Sequence, residues 1–201
     1  YRAKVYNSIE EKIRKVADKY SKINFAIRSQ EKKNLSKEGI KKNVYTVGNT
    51  INDTIEIKKK IIIKNKINKK YLYVTIHRAE NVDNEIRLKK IHQFLNKLAS
   101  KIDIIISIHP RLKKMLRKYN LKLNNKIKVV GPVNYTDNLN YLYNSFFCIT
   151  DSGGIQEEAI ILGKKCFIPL NKTPHSHYIN KNANELINLN NTERVFKFLD
   201  K

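Results

Sequence analysis

The sequence is short of the residues that staple, anchor or acidify a chain. It has two cysteines, Cys148 and Cys166, each inside an apolar strand-like run and far apart without metal-ligand spacing. That argues against a disulfide framework and reads as buried structural thiols in a reducing compartment. No apolar run approaches the roughly 20 residues a membrane span requires, which excludes a spanning helix. The first residue is Tyr1, and no charged-then-apolar leader follows it, so the sequence reads as starting inside a longer protein. Asp and Glu total 18 against 41 Lys and Arg, a formal net charge of +23. Glu scarcity argues against thermophilic charge enrichment. The positive charge is 33 Lys against only 8 Arg, scattered among Ile and Asn. Arg is the better reader of bases and phosphates. The pattern therefore reads as a compositional bias, and no specific nucleic-acid partner is expected beyond salt-sensitive adhesion. There is no internal repeat or low-complexity tract. Apolar residues make up 41% of 201, enough to bury a core in one large or two small domains.

What is present is an alternation. Ser8 can cap a helix carrying Ile9, Ile13 and Val16 on one face. A strand at Ile23–Ile27, a helix at Gln30–Lys37 stopped by Gly39, a strand at Val44–Val47 and a helix from about Ile51 to Lys60 follow. The densest basic stretch, Lys58 to Lys70, reads as a solvated linker. Beyond it the rhythm is regular. Strands are expected at 72–76, 102–108, 127–130, 146–150 and 165–169. Helices are expected at 84–100, 110–119, 136–144, 153–162 and 192–201, the first with Ile86, Ile91, Leu95 and Leu98 as its apolar stripe. Strands apolar throughout and alternating with helices predict a parallel sheet covered on both faces. The fold class is therefore α/β, with a doubly wound, Rossmann-like C-terminal domain. The expected division is 1–48 as the remnant of an N-terminal α/β domain, 49–70 as an interdomain helix and basic linker, and 71–201 as the ligand-binding domain.

In an open α/β sheet, ligands bind beyond the carboxyl ends of the strands. Three features fall there. The run Asp151-Ser152-Gly153-Gly154-Ile155-Gln156-Glu157-Glu158 follows an apolar strand. Its two glycines permit close approach of a ligand, the first helical N–H groups suit an anion, and Ser152 adds a hydroxyl. Glu158 lies one turn further on, where a carboxylate suits a ribose diol. The alternative is a glycine turn before an ordinary polar helix. The stretch Thr75-Ile76-His77-Arg78-Ala79-Glu80-Asn81 places His77 and Arg78 at the end of another strand, able to polarise a phosphate or move a proton. Its alternative is a surface ion pair. His109-Pro110-Arg111 ends a third strand, where Pro110 also serves simple helix initiation. His92 reads as structural. His175 and His177 are spaced poorly for a metal and no metal is expected.

These motifs resemble the non-hydrolysing UDP-N-acetylglucosamine 2-epimerases. The likeness rests on TDSGGIQEEA at 150–159, on Gly131-Pro132 with Tyr135, on Leu162-Gly163-Lys164 and on the His77 stretch. Val47-Gly48-Asn49-Thr50 with Asp53, and Glu10-Glu11 with Arg14, extend it over most of the chain. The resemblance implies a two-domain GT-B fold with a nucleotide sugar in the interdomain cleft. It implies interconversion of UDP-N-acetylglucosamine and UDP-N-acetylmannosamine by elimination and re-addition of UDP, with no redox cofactor. Carried over, Ser152, Gly153 and Gly154 would hold the diphosphate and Glu158 the ribose. His77 would act near the leaving diphosphate or the proton transfer, and Glu10 would be a catalytic carboxylate. Arg78, His109 and Arg111 are the further UDP-binding candidates.

The chain also departs from the family. The first Rossmann segments, with basic contacts and other catalytic carboxylates, precede Tyr1. His175 falls where the family has a substrate-binding arginine, and Asn138 where an aromatic is common near the uracil. Asn180–Asn184 lacks a glycine, and Lys201 falls short of the family's final helix. The expected function is thus a UDP-N-acetylglucosamine 2-epimerase fragment or split-gene part, inactive alone. Expected partners are a UDP-sugar, a separately encoded N-terminal half and, if complete, a second copy in a homodimer, with no membrane. The expected location is cytoplasmic. The competing readings are a non-catalytic nucleotide-sugar-binding subunit, a GT-B glycosyltransferase and a basic nucleic-acid-binding protein.

Overall fold

The computed structural model describes residues 9–64, 67, 69–172 and 183–200, and at 10, 63 and 64 the backbone alone. The chain divides into two compact units, 1–53 and 54–201.

The first unit contains α1 (Ile9–Tyr20), β1 (Asn24–Ala26), α2 (Ser29–Lys37) and β2 (Val44–Thr46), and α3 (Thr50–Lys64) begins in it. β1 and β2 pair in parallel. Gly39, at φ +87°, supplies the left-handed turn that ends α2. The buried apolar cluster here is Ala26, Leu35 and Val44, with Ile40 packed on it. It does not cover the α1 stripe: Ile9, Ile13 and Val16 are 78%, 63% and 58% exposed. The expected basic linker is instead helical as far as Lys64. The apolar run Ile61–Ile63 carries the helix on with no Gly or Pro to stop it, and Ile62 is buried.

The second unit continues with β3 (Tyr71–Thr75), α4 (Ala79–Val82), α5 (Glu85–Ala99), β4 (Asp103–Ser107) and α6 (Pro110–Lys118). Then follow β5 (Ile127–Val130), α7 (Tyr135–Asn144), β6 (Cys148–Thr150), α8 (Gly153–Ile161), β7 (Cys166–Ile168), β8 (Asn184–Leu186) and α9 (Glu193–Leu199). The sheet order is β5-β4-β3-β6-β7-β8, every pair parallel. Successive strand residues point to opposite faces. Accordingly Leu72, Val74, Ile104, Ile106 and Phe147 enter one buried cluster, and Tyr71, Tyr73, Ile105 and Cys148 enter another. Both faces are thus dry, which is why these strands are apolar throughout.

The stripe of α5 is Leu88, Ile91, Leu95 and Leu98, all buried, while Ile86 is 70% exposed. Ile86 lies five residues before Ile91, about 140° round the helix, whereas Leu88 is three before it and in line. Truncating fully buried Leu98 to alanine would cost about 2–5 kcal/mol.

Two elements escape an apolar-pattern reading. α4 is a single turn. β8 begins Asn184-Glu185, yet both residues are buried. Glu185 receives Lys165 Nζ at 2.9 Å and also pairs with Arg194, while Asn184 Nδ2 donates to the Gln156 carbonyl at 3.0 Å. Cys148 and Cys166, distant in sequence, are register partners on β6 and β7, both free thiols and wholly buried. Among the described residues no helix is long and apolar enough to cross a membrane.

Candidate functional site

The chain runs outward from β3 to β4 to β5, then returns to lay β6 on the other side of β3. Connections leaving β3 and β6 therefore diverge, opening a crevice at their carboxyl ends. The two strands are tied there by Thr75 and Thr150, register partners whose hydroxyls lie 2.6 Å apart.

Asp151, the residue after β6, is the hub. It is wholly buried, and its carboxylate accepts the backbone N–H of His77 at 3.0 and 3.2 Å, that of Arg78 at 3.0 Å and Asn81 Nδ2 at 2.8 Å. Burial alone would raise its pKa. The donors from His77, Asn81 and Arg78 outweigh that and hold it below the ordinary aspartate value. The ring of His77 sets Nδ1 3.2 Å from Asp151 Oδ1 with its side chain 41% exposed. A carboxylate at Nδ1 fixes the tautomer that carries its proton there, leaving the Nε2 lone pair for chemistry at the mouth. The Arg78 guanidinium lies 3.7 Å from Glu80.

The mouth's second feature is the start of α8. Helices α5, α6 and α7 each have a capping side chain: Asn84, His109 and Asn134 accept the N–H of Arg87, Arg111 and Asp137. Ser152 makes no such bond for α8, and its own N–H donates back to Thr150 Oγ1 at 3.0 Å. The first N–H groups of α8 therefore receive no cap from the Ser152 side chain, at the positive end of the helix. Gly154 is exposed, and a Cβ built on it would meet nothing within 4 Å. Neither packing nor φ demands glycine at that position.

Glu158, one turn on, is only 7% exposed. Asn138 Nδ2 donates to its Oε2 at 3.3 Å, Tyr73 fixes that amide by donating to Asn138 Oδ1 at 2.7 Å, and the Tyr135 hydroxyl also bonds the carboxylate. Burial dominates, helped by the charge of Glu157, and pushes Glu158 up to about 7 despite the Tyr135 and Asn138 bonds. Burial and the same carboxylate raise Tyr135 to about 12.

The His109 ring lies tilted beside that of His77, centroids 5.8 Å apart, and its Nδ1 caps α6. Arg111 grips Asp83 with both Nε and Nη2, so it must release that partner to reach a ligand. His77, Arg78, His109, Asp151 and Ser152 thus share one mouth, while Arg111 is held to the end of α4. Glu10 sits in α1 with its side chain outside the described residues. Ser8, the 173–177 loop with His175 and His177, and residues 180–182 also lie outside them. His92 Nε2 is 2.7 Å from the Lys122 carbonyl, a structural contact. Among the described residues no group of three His, Cys, Asp or Glu could hold a metal ion.

The model of one protein family, that of UDP-N-acetylglucosamine 2-epimerase, matches residues 3–201. The chain belongs to this family. The UDP-N-acetylglucosamine 2-epimerase of Methanocaldococcus jannaschii is 39% identical to it, over 96% of this chain and 57% of that protein. A crystal structure of the enzyme from that organism, in complex with UDP-GlcNAc and UDP, superposes with a TM-score of 0.83 at 38% identity, covering 99% of this chain and 59% of that one. The Neisseria meningitidis UDP-GlcNAc 2-epimerase bound to UDP-GlcNAc gives 0.80 at 26% identity, covering 98% and 59%. The fold is GT-B-like, and the chain spans little more than half the length of these epimerases.

Five members of the site have roles that the sequence alone does not show. Asp151 was legible only as the start of a motif, because its role depends on donors some seventy residues away. Asn81 and Arg87 look like ordinary helix-start residues. Tyr135 and Asn138, singled out in the sequence only by the family likeness, bond the Glu158 carboxylate once α7 packs beside α8.

Proposed function

We propose that this chain is the UDP-binding part of a UDP-N-acetylglucosamine 2-epimerase, interconverting UDP-N-acetylglucosamine and UDP-N-acetylmannosamine. The observation that carries the reading is the uncapped start of α8 beside His77 at the crevice between β3 and β6. The amides of Gly153 and Gly154, with the Ser152 hydroxyl, hold the diphosphate. Glu158 accepts the ribose hydroxyls. Arg78 and His109 add positive charge or donors at the mouth, and Arg111 does so only on leaving Asp83. In the reaction the C2 proton and the C1–UDP bond are lost, giving a 2-acetamidoglucal and UDP. UDP then re-adds at C1 while a proton enters C2 from the other face. His77 Nε2 serves the leaving diphosphate or that proton, and Glu10 supplies a carboxylate.

The division into 1–48, 49–70 and 71–201 belongs to this proposal. A further α/β half, supplied by the same or a separate polypeptide, completes the cleft. The exposed apolar residues of the first unit, Phe25 and Tyr45 on its two-stranded sheet and Val47 just after it, support such a partner. The working location is the cytoplasm, and the completed enzyme is a homodimer.

Calorimetry with UDP tests the reading. UDP binds the folded chain, and Gly154→Ala, which has space for its methyl group, stays folded but binds about tenfold more weakly or worse. A folded chain without UDP affinity would overturn the proposal. Incubated alone with UDP-N-acetylglucosamine, the chain yields no C2 epimer; appreciable turnover would refute the need for a second half.

A further inference from the structure

Arg87 takes no part in the proposed chemistry, yet each of its three guanidinium nitrogens donates a hydrogen bond. It sits in the first turn of α5 and reaches back towards the mouth. Nε donates to Asn81 Oδ1 at 2.6 Å, Nη2 to the Pro169 carbonyl at 2.8 Å and Nη1 to Asn171 Oδ1 at 3.2 Å. It thus joins the connection after β3 to the connection after β7.

The consequence lies in the polarity of Asn81. Its side chain is wholly buried and presents one acceptor and one donor end. The donor end meets Asp151 and the acceptor end meets Arg87. Rotating the amide by half a turn would set its oxygen against a carboxylate and its NH2 against an N–H, two repulsive contacts at once. Arg87 cannot lose its proton, so the donor is permanent. Asn81 can then only donate to Asp151, and Asp151 keeps the charge and position that hold Nδ1–H of His77.

We propose that Arg87 is a positioning residue: by fixing the amide of Asn81 it fixes Asp151, and through Asp151 it keeps the His77 ring with Nε2 turned to the mouth. Its hold on Pro169 and Asn171 makes the same ring sensitive to the connection after β7. The value of this arrangement for the reaction rests on the epimerase reading above, but the arrangement itself can be measured without substrate.

The experiment is nitrogen-15 NMR of the full chain at a pH where His77 is neutral, reporting which ring nitrogen carries the proton. The wild type shows the Nδ1–H form and a protected Asn81 side-chain amide. Arg87→Met lowers the ratio of Nδ1–H to Nε2–H about tenfold, the equivalent of one charge-assisted hydrogen bond. Arg87→Lys, which keeps the charge but not the three-way fork, restores it only in part. An unchanged tautomer in a folded Arg87→Met or Arg87→Lys protein would overturn the proposal. So would fast exchange of the Asn81 amide in the wild type, a measurement that needs no variant to fold. UDP titration of the same wild-type sample separates the two readings: absent UDP affinity sinks the function and leaves the tautomer result standing.

Discussion

Glu158→Gln is expected to make the protein more stable than the wild type at pH 8 and to leave it no more stable at pH 4.5. The carboxyl is 7% exposed and is pushed from 4.5 to about 7. Because the folded value lies above the unfolded one, folding favours the protonated form. Its contribution is fully present below the unfolded value and is lost as pH rises through about 7. A shift of about 2.5 units at 1.36 kcal/mol each is about 3 kcal/mol. Glutamine is neutral throughout, so urea unfolding of both proteins across this window should show the difference growing by up to about 3 kcal/mol in favour of the variant. Parallel curves would refute the reasoning. Ligand binding gives an independent reading of the same group. Ribose hydroxyls donate best to the ionised carboxylate, and at pH 6 a group titrating near 7 is about nine-tenths protonated. UDP binding at pH 6 should therefore release close to one proton more from the wild type than from Glu158→Gln, seen as a steeper dependence of the binding heat on the buffer's ionisation enthalpy. Equal buffer dependence in the two proteins would exclude Glu158 from the nucleotide contact.

Three further outcomes follow from buried polar groups. Asp151→Asn turns an NH2 towards three donors and should lose about 2–4 kcal/mol at neutral pH by urea unfolding. Because the folded value of Asp151 is lowered, its stabilisation is present above the ordinary value of 3.8 and lost as pH falls through the lowered one, so the variant should show a flatter acid limb. Glu185→Ala removes the carboxylate from Lys165, whose side chain is 6% exposed, and should cost about 3–5 kcal/mol, whereas the double change Lys165→Met with Glu185→Leu should cost far less. Cys148 and Cys166 should resist bulky thiol reagents in the native protein and react together on unfolding. Both are wholly buried, and burial raises the Cys166 thiol well above its usual range.

The alternation of apolar strands with helices was legible because a sheet covered on both faces needs apolar residues at every strand position, a demand local enough to read directly. The glycine corner and His77 were legible because residue type and position after a strand suffice to mark a mouth. Elsewhere local pattern misled. Ile86 counted as apolar but lies off the α5 stripe, and Asn184-Glu185 counted as polar yet forms a strand in which Lys165 and Arg194 pair with Glu185 and the Gln156 carbonyl accepts from Asn184 Nδ2. The α1 stripe has helical spacing without a core in its own unit large enough to cover it.

By itself, then, the order of residues specified a parallel α/β sheet, the family likeness and the corner where an anion would sit, since all three depend on neighbours within a few positions. Only tertiary structure decided which side chains act together. Asp151 gathers donors from the connection after β3 and from α4, Arg87 ties two connections some eighty residues apart, and Glu158 is pushed up to about 7 because α7 and α8 close over it. Burial and hydrogen bonding across long separations set charge and tautomer, and no local pattern encodes either.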